Sequence, residues 1–480
     1  MNQTTGTFYY GFFRPSAHYP ATQWVTAGVL GALLGGYALV IASLPTALML
    51  ILALALFFPV VALVVKNVRR LFLTAILLDV PFSFDANLFY QTAAAESGAF
   101  AGLNVSITSI ALVVLYALWL SELLVKVNRV PRYLIHVCLP LATYVFLATL
   151  STVIAQNKTL AFFEIFLLLH MFLLFLYIAG TVRSRKDILF IVTILLIGLV
   201  LESAVMIGLH FIGHSIEIAG LLMRIDPGGR VGGTIGSPNN AAAYLSLLIA
   251  PALSMMLIQT GRWYRVLALI AFGLSCIALI FTLSRGGWLA TGVSTTLFCW
   301  FAWRRGWLPI TVPILGIFIT LTLTMIFQGA ITARLFGDDN GSAQSRVPLM
   351  MLAFATIREH PILGIGINNF TLLFKTSNFS DASFNFFYIV HNQYLLIWTE
   401  KGTPALCAFI WFLSMAIHRG WNIWHQHDRL LSPIALGLLA GIVGQIVHMN
   451  FDVFNDRPQI QLLCIVVGLL TAMDAVESAG

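Results

Sequence analysis

The sequence predicts an all-α, polytopic membrane bundle of about 12–14 transmembrane helices with one large loop carrying short helices. Three observations predict it. Of 480 residues, 59% are hydrophobic and 9% charged, against roughly 25% charged in an ordinary soluble domain. Apolar runs of about 18–25 residues recur along the chain, and a helix of about 20 residues spans the hydrocarbon core. Lipid offers the backbone no hydrogen-bond partner, so these runs must be helices.

In order, the runs fall near 22–44, 45–65, 71–82, 103–124, 133–154, 159–180, 187–211, 239–259, 266–284, 286–303, 308–328, 391–417, 433–452 and 458–475. The first is too long for a signal-peptide core and lacks a clear cleavage site, so it is expected to be retained. Short loops rich in Lys and Arg (Lys66 to Arg70, Lys126 to Arg132, Arg183 to Lys186, Arg262 with Arg265, Arg304-Arg305, Arg419 with Arg429) fall on one side of the alternating chain. That side is expected to be cytoplasmic. The net charge of +7 is mostly this bias, and no basic segment is interleaved with aromatics, so nucleic acid is not an expected partner. The five cysteines lie within spans without paired spacing, which indicates neither a disulfide framework nor a zinc site. No cofactor and no metal are expected.

The chain divides into N-terminal scaffold helices, 1–212, and a region expected to carry the chemistry, 213–480, with a catalytic loop at 329–390. Within the spans, Glu122, Glu164, Glu202, His136, His170 and His210 are expected to face the bundle interior, because an ionisable group in lipid is costly. The loop 213–239 holds Arg224 and then Arg230-Val231-Gly232-Gly233-Thr234-Ile235-Gly236-Ser237-Pro238-Asn239. Asn239 reads as the cap or first turn of the next span. Glycines there could let backbone amides approach an anion, or simply connect two spans. Arg285, between two apolar runs, suits a phosphate because a guanidinium binds it bidentately; the alternative is an arginine reaching lipid headgroups.

In the long loop, 345–360 has the spacing of an amphipathic helix, with Ser342 or Ser345 as cap and Pro361 as stop. Arg346 falls in its first turn. Arg358, in its last, favours the helix dipole and reads as structural. Gly364-Ile365-Gly366 is weak as a phosphate motif. His391 starts the next span, where an imidazole can accept a proton as a general base must. Glu400 lies about half a helical turn from it and should not orient it directly. Asp452 or Asp456 could orient the base or balance the arginines, and His425-Gln426-His427-Asp428 reads as a solvated connection. Several arginines, one histidine and no metal cluster suit displacement of a pyrophosphate from a lipid-linked glycosyl group by an acceptor hydroxyl.

Ser284-Arg285-Gly286-Gly287-Trp288, the Arg346 helix, Pro361-Ile362-Leu363-Gly364-Ile365-Gly366-Ile367-Asn368-Asn369-Phe370 and His391-Asn392-Gln393-Tyr394-Leu395 resemble the O-antigen ligase and Wzy polymerase superfamily, best over about 230–415. His391-Asn392 and Gly402 keep that family's spacing; Ala405 stands where it has a second glycine. The resemblance implies a bacterial inner-membrane enzyme, with its site facing the periplasm, that moves a glycan from undecaprenyl pyrophosphate to an acceptor without metal. The acceptor would be lipid A core or, for a polymerase, a growing polysaccharide. His391 would be the base, Arg285 and Arg346 would hold the pyrophosphate, and Arg230 would add a phosphate or glycan contact. Asn239, Asn369, Asn392 and Asp452 are the further expected substrate contacts. The loop 81–102, with Asp85, Asn87 and Tyr90, is a solvated connection or another glycan contact. Membrane lipids and a flippase of the same pathway are the expected partners. A lipid-linked glycan transporter is the competing class, and it predicts repeated halves that the sequence does not show.

Overall fold

The long apolar runs that fall within the described residues fold as helices. A computed structural model describes residues 67–125, 133–218, 220–259, 261–312, 346–373 and 388–478, with a few isolated positions besides. The expected spans at 22–44 and 45–65, and most of 308–328, lie outside them.

Helix α1 (Val68–Phe82) begins where Asn67 Oδ1 accepts from the Arg70 N–H. It leads to β1 (Asp85–Leu88), a short helix α2 (Thr92–Glu96) and β2 (Leu103–Ser106), whose strands pair antiparallel with Asp85 opposite Ser106. Then come α3 (Ile107–Leu124), α4 (Tyr133–Leu150), α5 (Lys158–Thr181) and α6 (Arg185–Ile212). A small antiparallel sheet of β3 (Ile216–Ile218), β4 (Leu221–Ile225) and β5 (Val231–Gly233) precedes α7 (Pro238–Leu257), α8 (Arg262–Thr282) and α9 (Arg285–Arg304). The loop helix α10 (Arg346–Glu359) follows, then α11 (Gln393–His425), α12 (Leu431–His448) and α13 (Arg457–Ser478). Both sheets lie in the connections between spans.

Eight of the described helices are long and apolar enough to cross a membrane, which makes this a multi-pass helical membrane protein. Their burial sorts centre from rim: 83% of the apolar window of α7 and of α12 is buried, against 28% for α3. Close approach explains the centre. Gly437, Gly441 and Gly444 form one stripe on α12, set against Ser254 and Leu247 of α7 and Ala290 of α9. Without a hydrophobic drive between helices in lipid, such small-residue seams let backbones pack closely.

Helix α11 is broken at Gly402, whose φ of 80° and ψ of 176° are outside helical values, with Pro404 just beyond. A break strands backbone groups that lipid cannot satisfy. The loop after α10 satisfies them. Ile365 N–H donates to Thr399 O at 3.0 Å, Gly366 N–H to Glu400 O at 2.9 Å, and Thr403 N–H to Pro361 O at 2.9 Å. Gly364 and Gly366 therefore serve close packing on α11 and on Ala155. A Cβ at Gly402 would overlap the Ile362 carbonyl, and that backbone region is nearly reserved for glycine, at a cost of about 1–3 kcal/mol. Gly402→Ala should accordingly lower the thermal midpoint of the detergent-solubilised protein; an unchanged midpoint would show that the break does not depend on glycine.

The face away from the broken end of α11 collects the basic loops. Arg69 pairs with Glu122 at 2.7 Å, Arg70 with Asp187 at 3.2 Å, Arg185 with Asp428 at 2.6 Å, and Arg419 with Asp474. Asp428, expected in a solvated turn, also accepts from the Leu430 and Leu431 N–H groups at 2.8 and 2.7 Å. The glutamates in the spans do find partners: Glu122 takes Arg69, Glu164 takes Lys401, and Glu202 takes the Thr234 N–H and hydroxyl. Two histidines correct the expectation. His136 is exposed on the outer surface of the bundle, and exposed His210 stacks on Phe281 with ring centroids 3.8 Å apart.

Candidate active site

A cleft of about 580 Å³ opens where α1, α7, α11, α12 and α13 end and the hairpin 83–106 folds over. Four of the expected site residues, Arg230, Asn239, His391 and Asp452, line it.

His391 stands one residue before Asn392, which caps α11 by accepting from the Leu395 N–H at 2.9 Å and donates to Asn450 O at 3.1 Å. Asn392 thus fixes the histidine's backbone to the turn after α12. That turn carries Asp452, whose Oδ1 lies 3.2 Å from His391 Nδ1 and accepts from the Val453 N–H at 2.9 Å. With Nδ1 donating to the carboxylate, Nε2 is the ring nitrogen left to accept a proton. Burial alone would raise the Asp452 carboxyl, but the hydrogen bond and charge of His391 outweigh it and hold the group below its ordinary value. Asp456 takes the opposite course. Burial pushes it up, the Asn240 amide opposes this, and Asp452 adds to it.

Tyr388 stacks on His391 with ring centroids 5.3 Å apart and planes 14° from parallel. Gly98 backs the tyrosine so closely that a Cβ there would lie 2.6 Å from the ring. The chain is thus layered from Gly98 through Tyr388 to the imidazole. Tyr388→Ala should lower kcat with little change in donor KM, and Tyr388→Phe should restore it, as measured by initial rates; a Phe variant as impaired as Ala would point to the hydroxyl instead of the stack.

Arg230 is held by two groups at helix ends. Its Nε donates to Thr282 O at 3.1 Å and its guanidinium NH2 to Asn239 Oδ1 at 2.6 Å. Ser237 caps α7 and Pro238 is its first residue, so Asn239 belongs to the first turn. The glycines before it serve the protein's own packing, for Gly233 fits against Glu202 and Met206, and Gly232 against Gly236. Arg224, which exchanges a 3.2 Å contact with Asp226, is a second arginine on the same wall.

The remaining expected residues lie outside the cleft lining. Arg285 opens α9 after the Ser284 cap, and its neighbour Gly286 would place a Cβ 2.7 Å from His448. The N-terminus of α9 therefore abuts the turn that carries Asp452. Arg346 opens α10, which packs Leu349, Leu352 and Ile357 against Leu395, Leu396 and Val453. Asn369 is fully engaged with the scaffold, accepting from Asn157 N–H at 2.7 Å and donating to Ile367 O at 2.8 Å. Glu400, half a turn from His391, takes the Phe370 N–H and Lys401 instead.

The sequence reading did not assign Arg457. Buried at the start of α13, it pairs with Asp79 at 3.0 Å and Asp85 at 2.5 Å, while Asp79 also accepts from the Thr108 N–H and hydroxyl. Burial raises the Asp85 carboxyl to about 6 against the pull of Arg457. This network pins β1, α1 and α3 to α13 behind the cleft. An arginine beside a proline at a span start was the available signal; its acids lie in and just after α1, Asp79 being 378 positions upstream, and only folding shows that they meet.

No curated protein matches the chain. A family model described as O-Antigen ligase matches residues 270–410, a segment that contains Arg285, Arg346, Asn369, His391 and Asn392 but not Arg230, Asn239 or Asp452. Over this segment the chain is similar to the O-antigen ligase family, a match that supports a ligase- or polymerase-type membrane glycosyltransferase.

Proposed function

We propose that the protein transfers a glycan from undecaprenyl pyrophosphate to a hydroxyl of lipid A core on the periplasmic side of the bacterial inner membrane. The observation that carries the reading is the His391–Asp452 pair, 3.2 Å apart, set in one cleft with Arg230. His391 Nε2 takes the proton of the acceptor hydroxyl as its oxygen attacks the anomeric carbon. The bond from that carbon to the pyrophosphate oxygen breaks, and arginine charge meets the departing pyrophosphate. Of the arginines assigned to this role, Arg230 lines the cleft, beside Arg224. Arg285, beside the Asp452 turn, and Arg346, on the helix that packs against α11, complete the set in this reading. Asn239 orients Arg230, and Asn392 and Asp452 orient the base. Asn369 would act by holding the loop.

The test incubates purified protein with a lipid-pyrophosphate-linked glycan and two acceptors, lipid A core and a second lipid-linked repeat. Product on lipid A core supports the ligase; lengthened lipid-linked chains would replace it with a polymerase of the same chemistry. Absence of product from folded protein would favour transport or flipping of the lipid-linked glycan. Because arginine is the cation of this mechanism, transfer should persist in excess EDTA, and loss of activity that returns with a divalent cation would refute that part.

A further inference from the structure

The hairpin excursion between α1 and α3 is not needed to span the membrane, yet it forms one wall of the cleft. It contributes Asp85, Asn87, Tyr90 and Asn104, while the arginines Arg224 and Arg230 come from the connection before α7. The two walls thus differ in charge. The excursion is also fixed in place: Asn368 grips Phe100 by both its N–H, at 2.8 Å, and its carbonyl, at 2.7 Å. Arg457 grips Asp85, and Gly98 bears on the tyrosine that stacks on His391. Its register to the base is therefore set by the scaffold.

Resting on the glycosyltransferase reading above, we propose that this wall is the acceptor subsite, and that it seats a neutral, hydroxyl-rich sugar ring with its attacking hydroxyl toward His391. The Asn104 amide donates to Asn87 Oδ1 at 3.2 Å, which commits that oxygen and leaves the donor end of the Asn87 amide for a ligand. Tyr90, 53% exposed at the cleft, presents an apolar ring face and a polar tip, a combination suited to a sugar. Asp85 and Asp456 border the same space, and carboxylates there disfavour an acceptor ring that bears its own carboxylate or phosphate. The anionic end of the donor belongs at the arginine wall.

The experiment measures initial rates with a matched pair of acceptor oligosaccharides, ending in a neutral hexose or in the corresponding uronic acid. Asn87 and Tyr90 are both exposed, so truncating them leaves the core packing alone. For Asn87→Ala and Tyr90→Ala the acceptor KM should rise by about three- to tenfold, the size of one net hydrogen bond or ring contact, while the donor KM moves less than about twofold. The uronic acid should be the poorer acceptor of the wild type. A rise in donor KM, an unmoved acceptor KM in both variants, or equal use of the two acceptors would overturn the proposal. Wild-type protein that transfers to neither would instead count against the transferase reading itself.

Discussion

His391→Ala should slow glycan transfer by about 10²–10⁴-fold, the usual contribution of a positioned general base, while leaving a folded protein. The expectation of folding rests on location. His391 precedes α11, lines the cleft and, among the described residues, is hydrogen-bonded through its side chain to Asp452, so removing the ring opens no core cavity. Asp452→Asn should act in the same direction and less strongly. An amide there can turn its NH2 toward Nδ1 and so favour the wrong tautomer, but it leaves the imidazole in place. The two substitutions should be less than additive, because both act on one proton transfer. The acid side of the pH dependence follows from the depressed Asp452 carboxyl. Its folded value lies below its unfolded value, so the stability it contributes is present above the ordinary carboxylate range and is lost as pH falls through the depressed value. Single-turnover transfer by wild type, each single variant and the double variant measures all of this. Full activity of His391→Ala would remove the base from the mechanism.

Helices of this chain were largely legible in the sequence because lipid allows little else. Residues 345–360 were expected to form a helix and Arg346–Glu359 do so, since both its stop at Pro361 and its spacing are local properties. Pairings were not legible. Asp452 was one of two carboxylates that could meet His391, and the choice depends on how the turn after α12 folds beneath the start of α11. Asn369 and Gly364-Ile365-Gly366 sit in a motif shared with the family, yet the structure engages them with the scaffold and with the break at Gly402. In sequence they read as a weak phosphate motif and an expected substrate contact; their partners are a helix start 212 positions upstream and carbonyls freed by a kink. His136 and His210 misled for a related reason. The cost of an ionisable group in lipid argues for an interior position, but an imidazole near a helix end can lie on the outer surface with its polar tip toward the interface.

Lys401→Met should be the most destabilising single change in the bundle. Lys401 is 2% exposed, with its ammonium 2.9 Å from Glu164 of α5 and 3.2 Å from its neighbour Glu400. Glu400 in turn receives the Phe370 N–H at 3.0 Å, so the group joins α5, the break in α11 and the loop that covers it. Two acids share one base, which makes the cation indispensable. Removing it leaves buried carboxylates facing each other in a low-dielectric interior, a loss of about 3–5 kcal/mol. Neutralising the acids as well should recover most of that loss, because replacing a whole buried charge cluster is often nearly neutral whereas removing one partner is not. Lys401→Met/Glu164→Gln/Glu400→Gln should therefore melt closer to wild type than Lys401→Met alone, when thermal midpoints are compared in one detergent. A single variant as stable as wild type would mean that the cluster does not hold the break, and a triple variant no better than the single would mean that the lysine acts through packing. Recovery would also bear on catalysis, since His391 stands just before the cap of the same helix, eleven residues before Gly402: if the charges only hold the break, the triple variant regains transfer along with stability.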